Sequence, residues 1–170
     1  MKGFYRYLVG IIMPLLPETH CFALKRLLLR LTGAIIGKNV RICSSATFIG
    51  SGQLIIGDNT WIGHRCLISA SSLIHIGANC DIAPNVYIGN GTHIITPWCD
   101  RIASIEICKD IVIGDGCWIG VNSTILPGVE IGNKCVIAAG SVVTHSFVSN
   151  CCLLAGVPAA IKKEISNKNS

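Results

Sequence analysis

Aromatic residues are scarce: only 6% of the 170 positions carry Phe, Trp or Tyr, although 51% of the chain is hydrophobic. A core with few rings must be filled by aliphatic side chains, which suits a narrow interior better than a broad one. Long apolar runs are missing too. The main candidate, residues 7–16, is too short to span a bilayer, and Pro14 and Pro17 interrupt it. No small-residue cleavage site follows, so neither a membrane-crossing helix nor a cleaved leader is expected. Linker composition, low-complexity segments and a second compositional block are likewise absent, leaving one domain as the expectation at this length.

What is present is a period of six. Between residues 76 and 143 an aliphatic residue recurs at every sixth position, usually followed by glycine: Ile76-Gly77, Ile82-Ala83, Ile88-Gly89 and, after a break, Ile113-Gly114, Ile119-Gly120, Ile125-Leu126, Ile131-Gly132, Ile137-Ala138 and Val143-Thr144. Six is neither the helical period nor the alternation of a simple strand; it marks a hexapeptide β-helix. The aliphatic residue points inward. So does the fifth position, which is small: Val40, Thr60, Cys66, Cys80, Val86, Cys117, Ser123, Val129, Cys135 and Ser141. The fourth position turns the corner and is mostly Asn or Gly, including Asn39, Asn59, Asn79, Asn85, Gly91 and Gly116, residues that accept positive φ cheaply. Three sides make a coil, and successive coils pair as parallel strands about 4.8 Å apart. Ten cysteines would suggest a disulfide scaffold in a short secreted chain. Here Cys66, Cys80, Cys117 and Cys135 take the small inward position as buried apolar residues, so a reducing, cytoplasmic setting is expected.

Along the chain, residues 1–35 read as an N-terminal helical segment, residues 36–148 as the β-helix and residues 149–170 as a C-terminal extension. Leu24, Leu27, Leu28 and Leu31 share one helical face with Lys25, Arg26 and Arg30 elsewhere, predicting a helix of three to four turns between Glu18 and Leu31. Such a helix either caps the open end of the core or presents a basic amphipathic surface to an anionic membrane. The second option draws on charge, since residues 1–31 carry +4 of the chain's +5. Coil starts at Ile36, Ile56 and Ile76 lie 20 residues apart where three hexapeptides need 18, so two extra residues per coil bulge from the third side. Gln53, Leu73 and His93 then occupy equivalent places, which puts His93 on a surface ledge. The pattern stops after His93 and returns at Ile111. The intervening loop, about residues 94–112, holds Pro97, Trp98, Asp100, Arg101 and Glu106; a loop thrown out of a regular solenoid is often part of a binding site. The break in pattern over residues 149–160 leads to a polar tail, residues 166–170, expected to fray.

Five stretches stand in a telling order: Ile82-Ala83-Pro84-Asn85-Val86 followed by His93; Ile113-Gly114-Asp115-Gly116-Cys117-Trp118-Ile119-Gly120; Ile125-Leu126-Pro127-Gly128-Val129; Ala139-Gly140-Ser141-Val142-Val143; and Ala155-Gly156-Val157-Pro158-Ala159. Together they resemble the acetyl-CoA-dependent hexapeptide-repeat O-acetyltransferases, the group of maltose, galactoside and nodulation-factor acetyltransferases and their polysaccharide-modifying relatives. The resemblance implies an all-β, left-handed parallel β-helix with a short N-terminal helical segment and a loop inserted after His93. It implies a homotrimer with acetyl-CoA as co-substrate between subunits and no metal. His93 takes the place of the family's general base, a sensible role because an imidazole titrating near neutrality can remove the proton of a sugar hydroxyl as its oxygen attacks a thioester. By the same resemblance Trp118, Gly120, Ala139 and Thr144 lie along the pantetheine arm, with Pro158 and Lys162 near the nucleotide. Trp118 fits interface packing equally well, and Lys162 fits a solvated tail. His64, Arg65, His75 and Trp98 either line the acceptor cleft or are simply exposed. Asp81, Asp100 and Glu106 are the carboxylates available to orient His93.

The basic leader, ending in Gly33-Ala34-Ile35-Ile36-Gly37-Lys38-Asn39-Val40, looks more like acetyltransferases that decorate capsule or lipopolysaccharide sugars. A sugar hydroxyl in cell-surface polysaccharide is therefore the expected acceptor. An amine of a nucleotide-linked amino sugar and serine are the alternatives, and a non-enzymatic β-helical scaffold is a more distant one. No nucleic-acid partner is expected. Zinc chemistry on this fold needs three converging histidines, and the pair spaced four apart that marks it is missing.

Overall fold

Burial follows the six-residue period. In the computed structural model, which describes residues 2–165, the inward aliphatics Ile42, Ile62, Ile82, Ile119 and Ile137 stack one above the next and are wholly buried. Every small inward residue named above, from Val40 to Ser141, is buried with them. Three parallel sheets result. Sheet A takes Ile35–Ile36, Leu54–Ile56, Ile74–Ile76, Ile111–Ile113 and Glu130–Ile131 in that spatial order. Sheet B runs from Arg41–Ile42 through Trp61–Ile62, Asp81–Ile82, Trp118–Ile119 and Val136–Ile137 to Cys152–Gly156, and sheet C runs from Thr47–Ile49 to Val142–Val143. Five coils are complete and a sixth is begun, with Phe147 bridged to Ile131. This is the parallel β-helix that the hexapeptides predict.

The glycine after the inward aliphatic is dictated by spacing: a Cβ on Gly57 would stand 2.4 Å from the backbone nitrogen of Ala78 on the next coil. Corner asparagines Asn39, Asn59, Asn79, Asn85 and Asn122 have φ between 54° and 60°, the left-handed region. Their side chains add a ladder of their own. Asn39 Nδ2 donates to Asn59 Oδ1 at 3.2 Å, and Asn59 Nδ2 to Asn79 Oδ1 at 3.1 Å. Arg65 and Lys134 hold the same corner geometry without being Asn or Gly, whereas Gly91 is no corner and belongs to the inserted segment.

Three expectations change on contact with the structure. His93 does not share the ledge with Gln53 and Leu73. Ile111 pairs with Ile74, so the place beside Leu73 goes to Asp110, whose Oδ1 accepts from the Leu73 nitrogen at 3.0 Å. Residues 149–160 break the sequence pattern but not the stack: Cys152–Gly156 extends sheet B, and the chain then reverses so that Ala159–Glu164 pairs with it antiparallel. The tail expected to fray, residues 166–170, lies outside the described residues. Third, the N-terminal segment holds two helices, α1 (Lys2–Ile12) and α2 (Phe22–Leu31), α2 beginning four residues later than expected.

The leader's charge turns inward. The first coil has no coil before it to donate to its carbonyls, and cations of the two helices fill that role. Lys25 Nζ is buried and donates to the carbonyls of Pro17, Glu18 and Ile42 at 2.8–3.0 Å. Arg6 donates to Gly50 and Gly52, Arg26 to Val40, and Arg30 to Ile36 and Gly37. The basic face that would have met a membrane is thus largely the cap itself. Lys25→Met removes the donor to the Ile42 carbonyl and one of the donors to each of the Pro17 and Glu18 carbonyls, which keep Ser44, and is expected to cost roughly 1–3 kcal/mol, read as a lowered denaturant midpoint with an unchanged m-value.

Candidate active site

A coil cannot grow without losing register with its neighbours, so surplus residues must leave at a corner. They leave after Gly89. Asn90, wholly buried, holds the exit shut: its Oδ1 accepts from the nitrogens of Ser71 and Ser72, while Nδ2 donates to Ser72 Oγ and the Leu73 carbonyl. Its own carbonyl accepts from the Lys109 nitrogen at 2.9 Å, closing the neck where the chain returns. Sequence reasoning misses Asn90, because an asparagine after Ile88-Gly89 looks like one more repeat residue. Its place in the last hexapeptide before the pattern stops is the only signal.

Between the two sides of this neck stands an antiparallel hairpin, Gly91–Ile95 against Ala103–Cys108. Near its tip Thr96 Oγ1 and Ser104 Oγ lie 2.7 Å apart, and Ser104 donates onward to the Ile94 carbonyl. His93 is exposed on the outgoing strand, and among the described residues its ring has no hydrogen-bond partner. With Trp98, Asp100, Arg101 and Ser104 it lines an open pocket of about 590 Å³. Trp98 is 86% exposed. Of the three carboxylates offered to orient His93, Glu106 stands directly across the ladder from it and so projects to the same side. Glu106 Oε1 lies 4.0 Å from where a Cβ on Gly91 would be. Asp100 shares the pocket. Asp81 does not approach: it lies on sheet B between Trp61 and Trp118.

A second concavity lies on sheet B. Trp118, Val136 and Leu153 project outward from successive coils, and the small residues Gly120, Ala138 and Ala139 leave a floor beside them, giving an apolar groove of about 450 Å³. Of the residues expected along the cofactor arm, Trp118, Gly120 and Ala139 come together here. Thr144 does not line it; its hydroxyl lies 3.1 Å from His145 Nδ1 at the corner after sheet C. Pro158 sits in the turn that reverses the chain, and Lys162 is exposed on the strand Ala159–Glu164. The groove and the His93 pocket share no residue within the chain.

The other acceptor candidates are scattered. His75 faces outward on sheet A, in register with Val112 and then Glu130. Arg65 is an exposed corner whose backbone nitrogen donates to Ser45 Oγ. His64 belongs to the joint between cap and solenoid, with Nδ1 2.9 Å from Glu18 Oε1. Hydrogen bonds from the Ser45 side chain above all, and also from its backbone and from His64, hold Glu18 below the ordinary glutamate range. Burial pushes the adjacent Cys43 thiol up to about 11, keeping it protonated. Glu18, Cys43 and His64 approach within 4.8 Å, but with the carboxylate engaged and the thiol neutral they form a brace.

Comparison with known proteins follows the same anatomy. A family profile described as the hexapeptide repeat of succinyl-transferase matches residues 53–90 and 110–145, skipping the hairpin. A Saccharomyces cerevisiae protein named as a candidate acetyltransferase is 39% identical over 118 residues, 69% of this chain and 59% of that protein, so the chain spans about three fifths of that relative's length. A candidate colanic acid biosynthesis acetyltransferase of Escherichia coli, WcaF, is 35% identical over 137 residues, 81% of this chain and 72% of the relative. Among solved structures, a hexapeptide-repeat acetyltransferase from Vibrio cholerae complexed with acetyl coenzyme A superposes with a TM-score of 0.81 at 28% identity, covering 98% of this chain and 88% of the other.

Two expectations arise from these local arrangements. Asn90→Ala strands the half-buried N–H groups of Ser71 and Ser72, while the Leu73 carbonyl keeps its bond from the Ile111 nitrogen; the expected loss is roughly 1–3 kcal/mol, with faster hydrogen exchange at Ser71, Ser72 and Lys109. Because the folded Glu18 titrates below its unfolded value, its stabilisation is present above the ordinary glutamate pKa and is lost as pH falls through the folded one. Glu18→Gln therefore melts below wild type at neutral pH, and the gap narrows on acidification below about pH 4.5.

Proposed function

The chain belongs to the hexapeptide-repeat acetyltransferases, and from that membership we propose that it moves the acetyl group of acetyl-CoA to a sugar hydroxyl in cell-surface polysaccharide synthesis. The observation that carries the reading is the hairpin. It lifts His93, whose ring has no partner among the described residues, into an open pocket beside Trp98, with Glu106 in register across the ladder. The 35% identity to WcaF, named for colanic acid biosynthesis, supports the polysaccharide side.

Acetyl-CoA supplies the activated acyl group, and the groove beside Trp118, Gly120 and Ala139 accepts its unbranched arm. His93 takes the proton of the acceptor hydroxyl as that oxygen bonds to the thioester carbon. When the carbon–sulfur bond breaks, the imidazolium returns its proton to the departing sulfur, so the thiol leaves and His93 is restored. Glu106, in register with His93 across the ladder, is the carboxylate we assign to orient the ring once the acceptor is bound. The homotrimer in which neighbouring subunits complete each site comes from the family resemblance, and groove and hairpin lie on different faces of one chain as that arrangement requires.

Thiol release from acetyl-CoA, measured across sugars, amino sugars, nucleotide sugars and serine, tests the proposal. One acceptor class should support turnover, and His93→Ala should lose about 10²-fold or more. Glu106→Gln should lower kcat while leaving acetyl-CoA binding unchanged, because the ring then lacks the carboxylate proposed to orient it. Unchanged activity in His93→Ala would reject the base, and failure to bind acetyl-CoA would leave a scaffold.

A further inference from the structure

The end of the stack covered by the helices is itself uncovered. α1 meets Thr47–Ile49 of the first coil, and α2 meets Ile35–Ile36 and Arg41–Ile42, so both lie across the same opening. Their other faces carry apolar side chains into solvent. Tyr7, Leu8 and Ile11 on α1, Leu15 just beyond it, and Leu24 and Leu27 on α2 are exposed, Leu15 to 81% and Tyr7 to 67%. Soluble proteins rarely leave so many large apolar side chains open at one end without a partner for them.

Charge narrows the choice of partner. Residues 1–57 contain seven Lys and Arg but a single acid, Glu18, and that carboxylate is bonded to Ser45 and His64. Arg6, Lys25, Arg26 and Arg30 cap the first coil; Arg30 is nonetheless exposed on α2, and Lys38 and Arg41 are exposed on the first coil. A second copy docked face to face would set one acid-poor, cation-bearing end against another. A surface of anionic headgroups over hydrocarbon supplies both missing complements.

We propose that this end docks on an anionic lipid bilayer, with α1 and α2 lying in the interfacial plane. Tyr7, Leu8, Ile11 and Leu15 enter the boundary between headgroups and acyl chains, while Arg30, Lys38 and Arg41 meet phosphates. α1 is about 16 Å long, too short to cross, and among the described residues no helix is long and apolar enough to do so. The contact lies on the membrane rather than through it. It rests on the exposed face alone and not on acetyl transfer.

Sedimentation of the full chain with phosphatidylcholine vesicles, with and without phosphatidylglycerol, tests this directly. The protein should pellet with the mixed vesicles, and Ile11→Asp and Leu15→Asp should each weaken binding by about tenfold or more. Val148→Asp, at an exposed apolar position near the opposite end of the stack, should bind as wild type. All three positions are exposed, and unchanged melting confirms the fold; Leu15→Ser, outside both helices, gives an uncharged second test. The proposal falls if wild type stays in the supernatant with mixed vesicles. It also falls if the aspartate variants pellet equally well, or if Ile11→Asp splits an oligomer on size exclusion, since the face then belongs to a second copy.

Discussion

Every coil of this stack must match the perimeter of the coils beside it, because backbone N–H and C=O groups pair from one coil to the next. That ladder is the constraint from which the other features follow. It fixes the inter-coil distance, and the distance in turn forbids a side chain at Gly57. It demands a left-handed backbone at the corners, which asparagine supplies while also bonding to its counterpart one coil away. Where the chain carries more residues than a perimeter allows, the surplus leaves the stack, and the departure point needs its own hydrogen bonds. Asn90 is that local solution.

The same ladder explains the ends. A stack of parallel coils terminates in unpaired backbone groups on both sides, and the two sides are treated differently. At the beginning, cations from α1 and α2 reach over the rim and donate to first-coil carbonyls. Placing a lysine with no exposed surface there is tolerable because its ammonium makes three hydrogen bonds in the neighbourhood of the Glu18 carboxylate. At the other end the strand Ala159–Glu164 turns back antiparallel, so sheet B finishes in a pairing that cannot propagate as a further coil.

The solenoid was legible residue by residue because each of its coils obeys the same rule, and a rule repeated many times survives local exceptions such as Arg65 and Lys134 at corners. What repeats poorly reads poorly. Counting 20-residue coils put His93 on the ledge occupied by Gln53 and Leu73, but the next coil had to start at Ile111 to land on Ile74, and Asp110 took the place instead. The antiparallel character of the hairpin was equally hidden, since its pairing is local and outside the six-residue period. Cations at helical spacing looked like a surface because sequence records which helical face a residue occupies but not what that face meets. Of the six residues proposed for the cofactor, the three inside the repeat, Trp118, Gly120 and Ala139, converge on one groove. Thr144 at a corner, and Pro158 and Lys162 beyond the repeat, do not.

The hairpin's attachment also bears on how such a protein could diversify. Asn90 and Lys109 are joined at the neck, and the coil resumes on Ile74 as though residues 91–108 were absent. The excursion is therefore separable from the scaffold: its length and composition can drift while the core register stays fixed. Those eighteen positions can change almost in isolation, leaving the groove on sheet B and the stack beneath it intact.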